Sequence, residues 1–277
     1  MKIFIDSADL DQIREAYAWG IVDGVTTNPS LIKKAVEKLK AGGARASIED
    51  YIKRVLEAAA GTPVSLEVIG VTEEDMTRQG FFLYKTFNPV ADNVVVKVPV
   101  NPACEPGSTR RYDGLKTIKT LASEGIPINT TLVFTPEQAF LAAKAGAAYV
   151  SPFAGRVDDE LRKKSGHPGD RNSYFPAEGA RKGDAPAPVD DNGVVSGVGL
   201  VDDIVQLFGV QDLDCEVLAA SLRTPRQVRE CALVGADAAT IPFEVIRDMV
   251  DHYKTVEGMN AFVKDVVPEY ADLFRKA

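Results

Sequence analysis

A lysine stands in the middle of the run Val94-Val95-Val96-Lys97-Val98-Pro99-Val100. Valine is β-branched, so the run predicts a β-strand with an amine set among apolar side chains. A desolvated lysine is biased toward its uncharged form, and a free amine is a nucleophile toward carbonyl carbon. On an edge strand the same lysine could face water and discourage aggregation. A run apolar on both sides reads instead as a strand covered on both faces, as in a parallel sheet. The chemistry such a lysine supports is Schiff-base formation with a ketone or aldehyde.

The other groups this chemistry needs recur at the ends of short apolar runs. Asp6 closes Lys2–Asp6, and Thr26, Thr27 and Asn28 follow Gly24-Val25. Glu67 follows Val64-Ser65-Leu66, and Asn129 and Thr131 lie within Pro127–Val133. Ser151 lies in Tyr149–Phe153 with Arg156 just beyond, and Ser221 ends Cys215–Ser221 with Arg223 after it. Attack of an amine on a ketone needs one proton removed, another delivered and water expelled. Glu67 can do this through a water held by Thr131. The resulting iminium draws electrons, so a neighbouring carbon–carbon bond can break by retro-aldol cleavage. That step needs a base for the hydroxyl of the departing aldehyde, and Asp6 is the available carboxylate. Glu67 and Asp6 could exchange parts of these roles. Asn28 and Asn129 suit the hydroxyls of the retained fragment. Arg156 and Arg223, with Ser221, suit a phosphate through charge-assisted hydrogen bonds. Taken singly, each residue also has a plainer reading as a satisfied core group or a helix cap, Asp6-Ser7 above all.

The elements that must position these groups alternate. Short apolar runs predict strands at Lys2–Asp6, Gly24–Thr27, Val64–Val68, Val94–Val100, Pro127–Val133, Tyr149–Phe153, Cys215–Ser221 and Ala239–Pro242, with helical periodicity between them. Ser47 with Asp50, and Thr72 with Asp75, resemble capping boxes. One internal echo is stronger. Thr135-Pro136-Glu137-Gln138 opens a helical stretch that ends at Gly146-Ala147 and enters Tyr149–Phe153. Thr224-Pro225-Arg226-Gln227 does the same, ending at Gly235-Ala236 and entering Ala239–Phe243. In both, threonine is the N-cap, proline sits in the first turn and glutamine completes the box. Strands alternating with helices favour a single (βα)8 TIM barrel spanning 1–277, in which chemistry gathers at the C-terminal ends of the strands. A doubly wound open sheet is the alternative, but no Gly-x-Gly-x-x-Gly follows the first strand. From Val157 to about Ser196 the chain is rich in Pro, Gly, Asp and basic residues, which predicts a long loop on the active-site face. It reads first as a surface excursion or oligomer contact. More sharply, it reads as a lid carrying Arg162, Lys163, Lys164, His167 or Arg171 toward substrate.

Composition narrows the partners. The 277 residues are 45% apolar, ordinary for a chain with a sizeable core. A formal net charge of -8 gives no global reason to expect nucleic acid, though a local arginine pair can still bind an anionic substrate. Cys104, Cys215 and Cys231 are odd in number and widely spaced, which argues against a disulfide framework or zinc site and fits a reducing cytoplasm. His167 and His252 lack metal-ligand spacing, and the chemistry above calls for no metal or cofactor. Neither a signal peptide nor a membrane span is expected.

Five motifs, Gly24–Ser30, Val94–Pro99, Asn129–Thr131, Ser151–Arg156 and Ala219–Arg223, resemble the signatures of transaldolases in order and position. The ends of the chain look most like the short subfamily, which also contains fructose-6-phosphate aldolases. The resemblance implies a class I, metal-free enzyme that carries dihydroxyacetone from a ketose phosphate to an aldose phosphate. It makes Lys97 the Schiff-base residue, Asp6 the acid/base for bond cleavage, and Glu67 with Thr131 the water-activating pair. It places Asn28, Asn129 and Ser151 on the dihydroxyacetone unit, with Thr26 and Phe153 in the substrate pocket, and Arg156, Ser221 and Arg223 on the phosphate. It also implies a cytoplasmic homo-oligomer, a pentamer or decamer, with a C-terminal helix at about 267–277 docking on a neighbour.

Glu67 and Phe153 resemble the transaldolase branch, where the aldolase branch typically has glutamine and tyrosine. A glutamate can shuttle protons, whereas glutamine only orients a water. Segments after the second strand (Lys38–Ser47), the fourth (Asn101–Tyr112) and the sixth (Val157–Ser196) depart from the pattern as insertions. The competing readings are an aldolase that releases free dihydroxyacetone and a non-catalytic sugar-phosphate-binding barrel.

Overall fold

The computed structural model describes residues 1–41, 47–167 and 169–275. Eight parallel strands close into a barrel in sequence order: β1 (Lys2–Asp6), β2 (Gly24–Thr26), β3 (Val64–Glu67), β4 (Val94–Pro99), β5 (Ile128–Val133), β6 (Tyr149–Pro152), β7 (Glu216–Ala219) and β8 (Ala238–Ile241). Each lies within the stretch the sequence predicts for it or differs by a residue at its ends. The helices are α1 (Leu10–Ala18), α2 (Pro29–Ala41), α3 (Ile48–Ala58), α4 (Glu73–Ala91), α5 (Asp113–Ser123), α6 (Pro136–Ala145), α7 (Ala154–Ser165), α8 (Gly197–Gln211), α9 (Pro225–Leu233), α10 (Phe243–Asp248), α11 (Tyr253–Lys264) and α12 (Pro268–Phe274). Neighbouring helices of the outer ring pack as α1, α3, α4, α5, α6, α8, α9 and α10; α2, α7, α11 and α12 are additions.

Strand alternation sorts the barrel into an inside and an outside. Val94, Val96, Val98 and Val100 join the apolar layer between strands and helices, whereas Val95, also buried, belongs to no apolar cluster and shares the inner face with Lys97. The inside is layered. At the bottom Lys2 Nζ pairs with Glu216 at 2.7 Å. Above them Phe4, Tyr149, Leu218 and Ala238 form a small apolar plug, the rings of Phe4 and Tyr149 meeting edge to face. Gly24 lies against the Phe4 ring so closely that a Cβ would sit 2.8 Å from it. The layer above the plug is polar and faces the C-terminal mouth. The barrel closes where β8 pairs with β1, and outside that seam Trp19, at the end of α1, stacks on Phe243 of α10.

The Thr-Pro-x-Gln echo is the same structure twice. Gln138 N–H donates to Thr135 Oγ1 while the Gln138 side chain accepts from the Phe134 N–H. Gln227 N–H donates to Thr224 Oγ1 while its side chain accepts from the Arg223 N–H. Ser47 and Thr72 likewise cap α3 and α4.

One expectation needs correction, and two gain detail. The segment from Val157 does not begin as loop, because α7 runs on to Ser165. Its buried face, Val157, Asp158, Leu161, Arg162 and Ser165, is half polar, so it lacks the apolar period that would have revealed a helix. The residues from 169 to Ser196 are otherwise irregular, joined by one short bridge between Asp191 and Val194. The segment Lys38–Ser47 is helix as far as Ala41, and residues 42–46 lie outside the described residues. The C-terminal helix is α12, preceded by α11, which the sequence reading did not single out; residues 276–277 lie outside the described residues.

Candidate active site

Lys97 is 5% exposed and points into the barrel. The register pairs it with Glu67 on β3 and with Asn129 on β5. Its Nζ lies 3.0 Å from Glu67 Oε2 and donates to the Thr27 carbonyl at 3.2 Å. The flanking valines therefore do not enclose the amine, as the sequence suggested; alternation turns Val94, Val96 and Val98 to the other side of the sheet. What meets Nζ is a carboxylate within proton-transfer distance.

Asp6 is the second acid of the site. Its Oδ1 accepts from Thr26 Oγ1 at 2.8 Å, and Thr26 in turn shares a short hydrogen bond with Thr240 on β8. Burial raises the Asp6 pKa above the ordinary carboxylate range, against the opposing pull of Lys97 and the Thr26 hydroxyl. The two acids therefore differ: Glu67 is paired to the amine, and Asp6 stands across the cavity, biased toward holding a proton.

Asn129, fully buried, is held at both ends, donating to Ser65 Oγ at 3.0 Å and accepting from Ser151 Oγ at 2.7 Å. Asn28 caps α2 by accepting from the Leu31 N–H at 3.0 Å, which leaves its amide N–H groups for the cavity. Thr131 is buried, and its Oγ1 has no hydrogen-bond partner among the described residues. It sits at an irregularity: the β5–β6 register shifts between Thr130 and Val133, and Leu132 takes φ +59°. A leucine in the left-handed region is uncommon, and such bulges re-aim neighbouring side chains. Ser221, just past β7, is also left-handed at φ +62°.

A cavity of about 140 Å³ opens at the mouth, lined by Asp6, Thr26, Asn28, Lys97, Ser151, Phe153, Arg156 and Ser221 among the expected residues. Arg156 lies with its guanidinium carbon 5.1 Å from the centre of the Phe153 ring. Glu67, Asn129 and Thr131 stand behind this lining rather than in it. Arg223 is in an adjoining crevice, where it forms a two-pronged ion pair with Asp159, one arm at 2.6 Å. Thr240, Ser65 and Arg171 complete the surroundings. Ser65 shares the inner face with Glu67, so counting by twos along β3 would have found it, whereas β8 carries no selected residue from which to reach Thr240. Arg171 lines the cavity from the irregular segment, where no period could announce it. Of the other basic residues considered for a lid, Arg162 is buried, Lys164 pairs with Asp191 and His167 packs on the edge of Phe175. A larger groove of about 720 Å³ lies between α2, α3 and α4 and touches Asn28 and Glu67. Its lining is mainly apolar, with Ile32, Ile52, Val68 and Phe82, and it does not reach Lys97, so the chemistry belongs to the smaller cavity.

A family model described as Transaldolase/Fructose-6-phosphate aldolase matches residues 3–276. The chain belongs to this family. Curated relatives span it end to end. A probable transaldolase of Aquifex aeolicus is 39% identical over 273 residues, covering 97% of this chain and 99% of its own. One of Herpetosiphon aurantiacus is 38% identical over 276 residues, covering 99% of each. One of Chlorobium phaeobacteroides is 41% identical over 265 residues, covering 96% of this chain and 97% of its own. Among solved structures, a lactate oxidase of Pediococcus acidilactici is 14% identical with a TM-score of 0.50, a likeness of barrel fold alone. That likeness covers 87% of this chain and 62% of the other. For this family member, the described residues contain no group of three or more His, Cys, Asp or Glu placed to hold a metal ion, and no helix long and apolar enough to cross a membrane. Cys215 and Cys231 are buried, and burial pushes both thiols up to about 12, so neither is a nucleophile near neutral pH.

Proposed function

We propose that the protein is a class I transaldolase, moving a dihydroxyacetone unit from a ketose phosphate to an aldose phosphate through a Schiff base on Lys97. The observation that carries this is the contact of Lys97 Nζ with Glu67 at 3.0 Å, with Asp6 lining the same cavity as Lys97. The amine passes its proton to Glu67 and attacks the C2 carbonyl of the donor. Through a water bound to the Thr131 hydroxyl, one proton passes from the attached nitrogen to the carbinolamine oxygen, and Glu67 returns the second, so that this oxygen leaves as water and the iminium forms. Asp6 then takes the proton of the C4 hydroxyl, the C3–C4 bond breaks, and its electrons pass into the iminium to give an enamine. The first aldose leaves, an acceptor aldose enters, and the enamine carbon attacks its aldehyde while Asp6 protonates the new alkoxide. Hydrolysis frees Lys97. Asn28, Asn129 and Ser151 hold the dihydroxyacetone hydroxyls, Thr26 orients Asp6, and Phe153 walls the cavity. Arg156 and Ser221 face the phosphate from the cavity wall, with Arg223 behind them.

Fructose 6-phosphate or sedoheptulose 7-phosphate as donor, with erythrose 4-phosphate or glyceraldehyde 3-phosphate as acceptor, places the reaction in the pentose phosphate pathway of the cytoplasm. A homo-oligomer, pentamer or decamer, fits the family, and here the exposed apolar side chains of α11 and α12, Met259, Phe262, Leu273 and Phe274 among them, are the surface that supports it. Trapping decides the reading. Fructose 6-phosphate and borohydride should leave a three-carbon adduct on Lys97, and turnover should require erythrose 4-phosphate. Release of dihydroxyacetone without acceptor dependence would move the assignment to the aldolase branch. Absence of an adduct would end the Schiff-base reading.

A further inference from the structure

Among the described residues, the charges around the cavity cancel in pairs with three exceptions, Asp6, Arg156 and Arg171. Lys97 is matched by Glu67, and Arg223 by Asp159. Among the described residues, no carboxylate pairs with Arg156 or Arg171, although both line the cavity. Arg223, the arginine that the family pattern assigns to phosphate, has its guanidinium engaged by Asp159 through two hydrogen bonds.

Arg171 lies in a stretch without regular structure, yet its backbone is pinned. Arg223 Nη1 donates to the Arg171 carbonyl at 3.0 Å. Two residues on, buried Arg162 donates through Nη2 to the Ser173 carbonyl at 3.0 Å. Tyr174 donates to Glu230 on α9 at 3.2 Å, and the Arg226 guanidinium lies over the Tyr174 ring, 3.5 Å from its centre. Within the stretch, Asp170 Oδ1 accepts from the Asn172 N–H at 2.7 Å. Anchors on α7, on α9 and on the residues just ahead of α9 thus hold a segment that has no ladder of its own. A loop needs such fixing to aim a binding group, because ordering its backbone costs conformational entropy.

From this geometry we infer that Arg171 is a further substrate-binding residue that, with Arg156, grips the phosphate of the sugar, its backbone held over the cavity by the hydrogen bond from Arg223. The inference rests on the Schiff-base reading for the identity of the ligand, a sugar phosphate monoester. A phosphate dianion meets two unneutralised guanidinium groups, each able to offer paired N–H donors. The segment after the sixth strand thereby becomes part of the specificity apparatus.

Arg171→Ala and Arg171→Lys separate the possibilities in three readouts. First, KM for fructose 6-phosphate should rise at least tenfold in Arg171→Ala, with kcat within about threefold, and Arg171→Lys should recover part of the loss. Second, trapping of unphosphorylated dihydroxyacetone on Lys97 by borohydride should not depend on residue 171. Third, the affinity for inorganic phosphate, measured by titration calorimetry on the unliganded protein, should fall at least tenfold in Arg171→Ala. Arg223→Ala should raise KM as well, and the double variant should lose less than the product of the two single losses, the mark of two residues coupled through one contact. Unchanged KM and unchanged phosphate affinity in Arg171→Ala would overturn the assignment. If the wild type forms no Lys97 adduct but its phosphate affinity still depends on Arg171, the anion site stands and the Schiff-base reading falls.

Discussion

Asp6 is the residue whose protonation decides the rate if the proposed chemistry holds. It must be ionised to take the sugar's hydroxyl proton, and burial raises its pKa above 3.8. The sign is unambiguous: a raised pKa keeps the acid protonated to higher pH, so kcat/KM should fall on acidification through a value above 3.8. The pH–rate profile of the wild type gives the midpoint. Asp6→Asn should lose about 10²–10⁴-fold in rate, the range for one general acid/base, and lose that acidic limb. Retention of the limb in the variant would assign it to another group. Much of this was legible in the letters, because residues two apart on a strand share a face, so Asp6, Thr26, Lys97 and Ser151 arrive together once the strands are placed. Arg171 was legible only as one of five basic residues that a lid could carry, since its place depends on hydrogen bonds from Arg162 and Arg223 that no spacing encodes. The environment of Lys97 was misread for a related reason: neighbours in sequence along a strand are on opposite faces in space.

The turn from β6 into α7 is the element where close packing and chemistry meet. A Cβ on Gly155 would lie 2.1 Å from the Ser221 carbonyl, so the α7 start and the end of β7 touch through a backbone that only glycine permits. Ser221 already occupies the left-handed region and has little room to yield. Gly155→Ala should therefore displace Ser221 and Arg156 from their places, with a loss in kcat/KM of about 10²-fold, the scale of an ångström's misplacement, and a destabilisation of about 1–3 kcal/mol from overpacking. Kinetics together with urea denaturation would show both, and an alanine variant indistinguishable from wild type would count against the contact. Next along α7, Asp158 accepts from the Gly197 N–H at 2.6 Å and from Gln227 at 2.7 Å, tying the far end of the irregular segment to the second Thr-Pro-x-Gln cap. Burial raises its pKa to about 6. Strands and capped helices were readable at this scale because periodicity and caps are local. The helix α7 escaped because its inward face carries Asp158 and Arg162, polar groups that are satisfied only by partners far along the chain.

At the scale of the whole molecule, the barrel is complete without α11 and α12. No side chain of either helix is buried, and Phe262 is 71% and Phe274 66% exposed. A large apolar surface of this kind on one edge marks an interaction face. If copies of the chain associate through it, Phe262→Glu with Phe274→Glu should shift the mass seen by light scattering toward a monomer, while circular dichroism holds its wild-type form. Unchanged mass would place the association surface elsewhere.

The stack of Trp19 on Phe243 bears on how such variants can be followed. The chain contains one tryptophan, and it stands outside the junction of the first and last strands, the part of the barrel whose contacts are most distant in sequence. Its emission is therefore a built-in optical gauge of whether the two termini of the barrel remain joined, separable from the far-ultraviolet signal that averages over every helix. Loss of indole shielding ahead of ellipticity would mean the cylinder opens like a sheet before it melts.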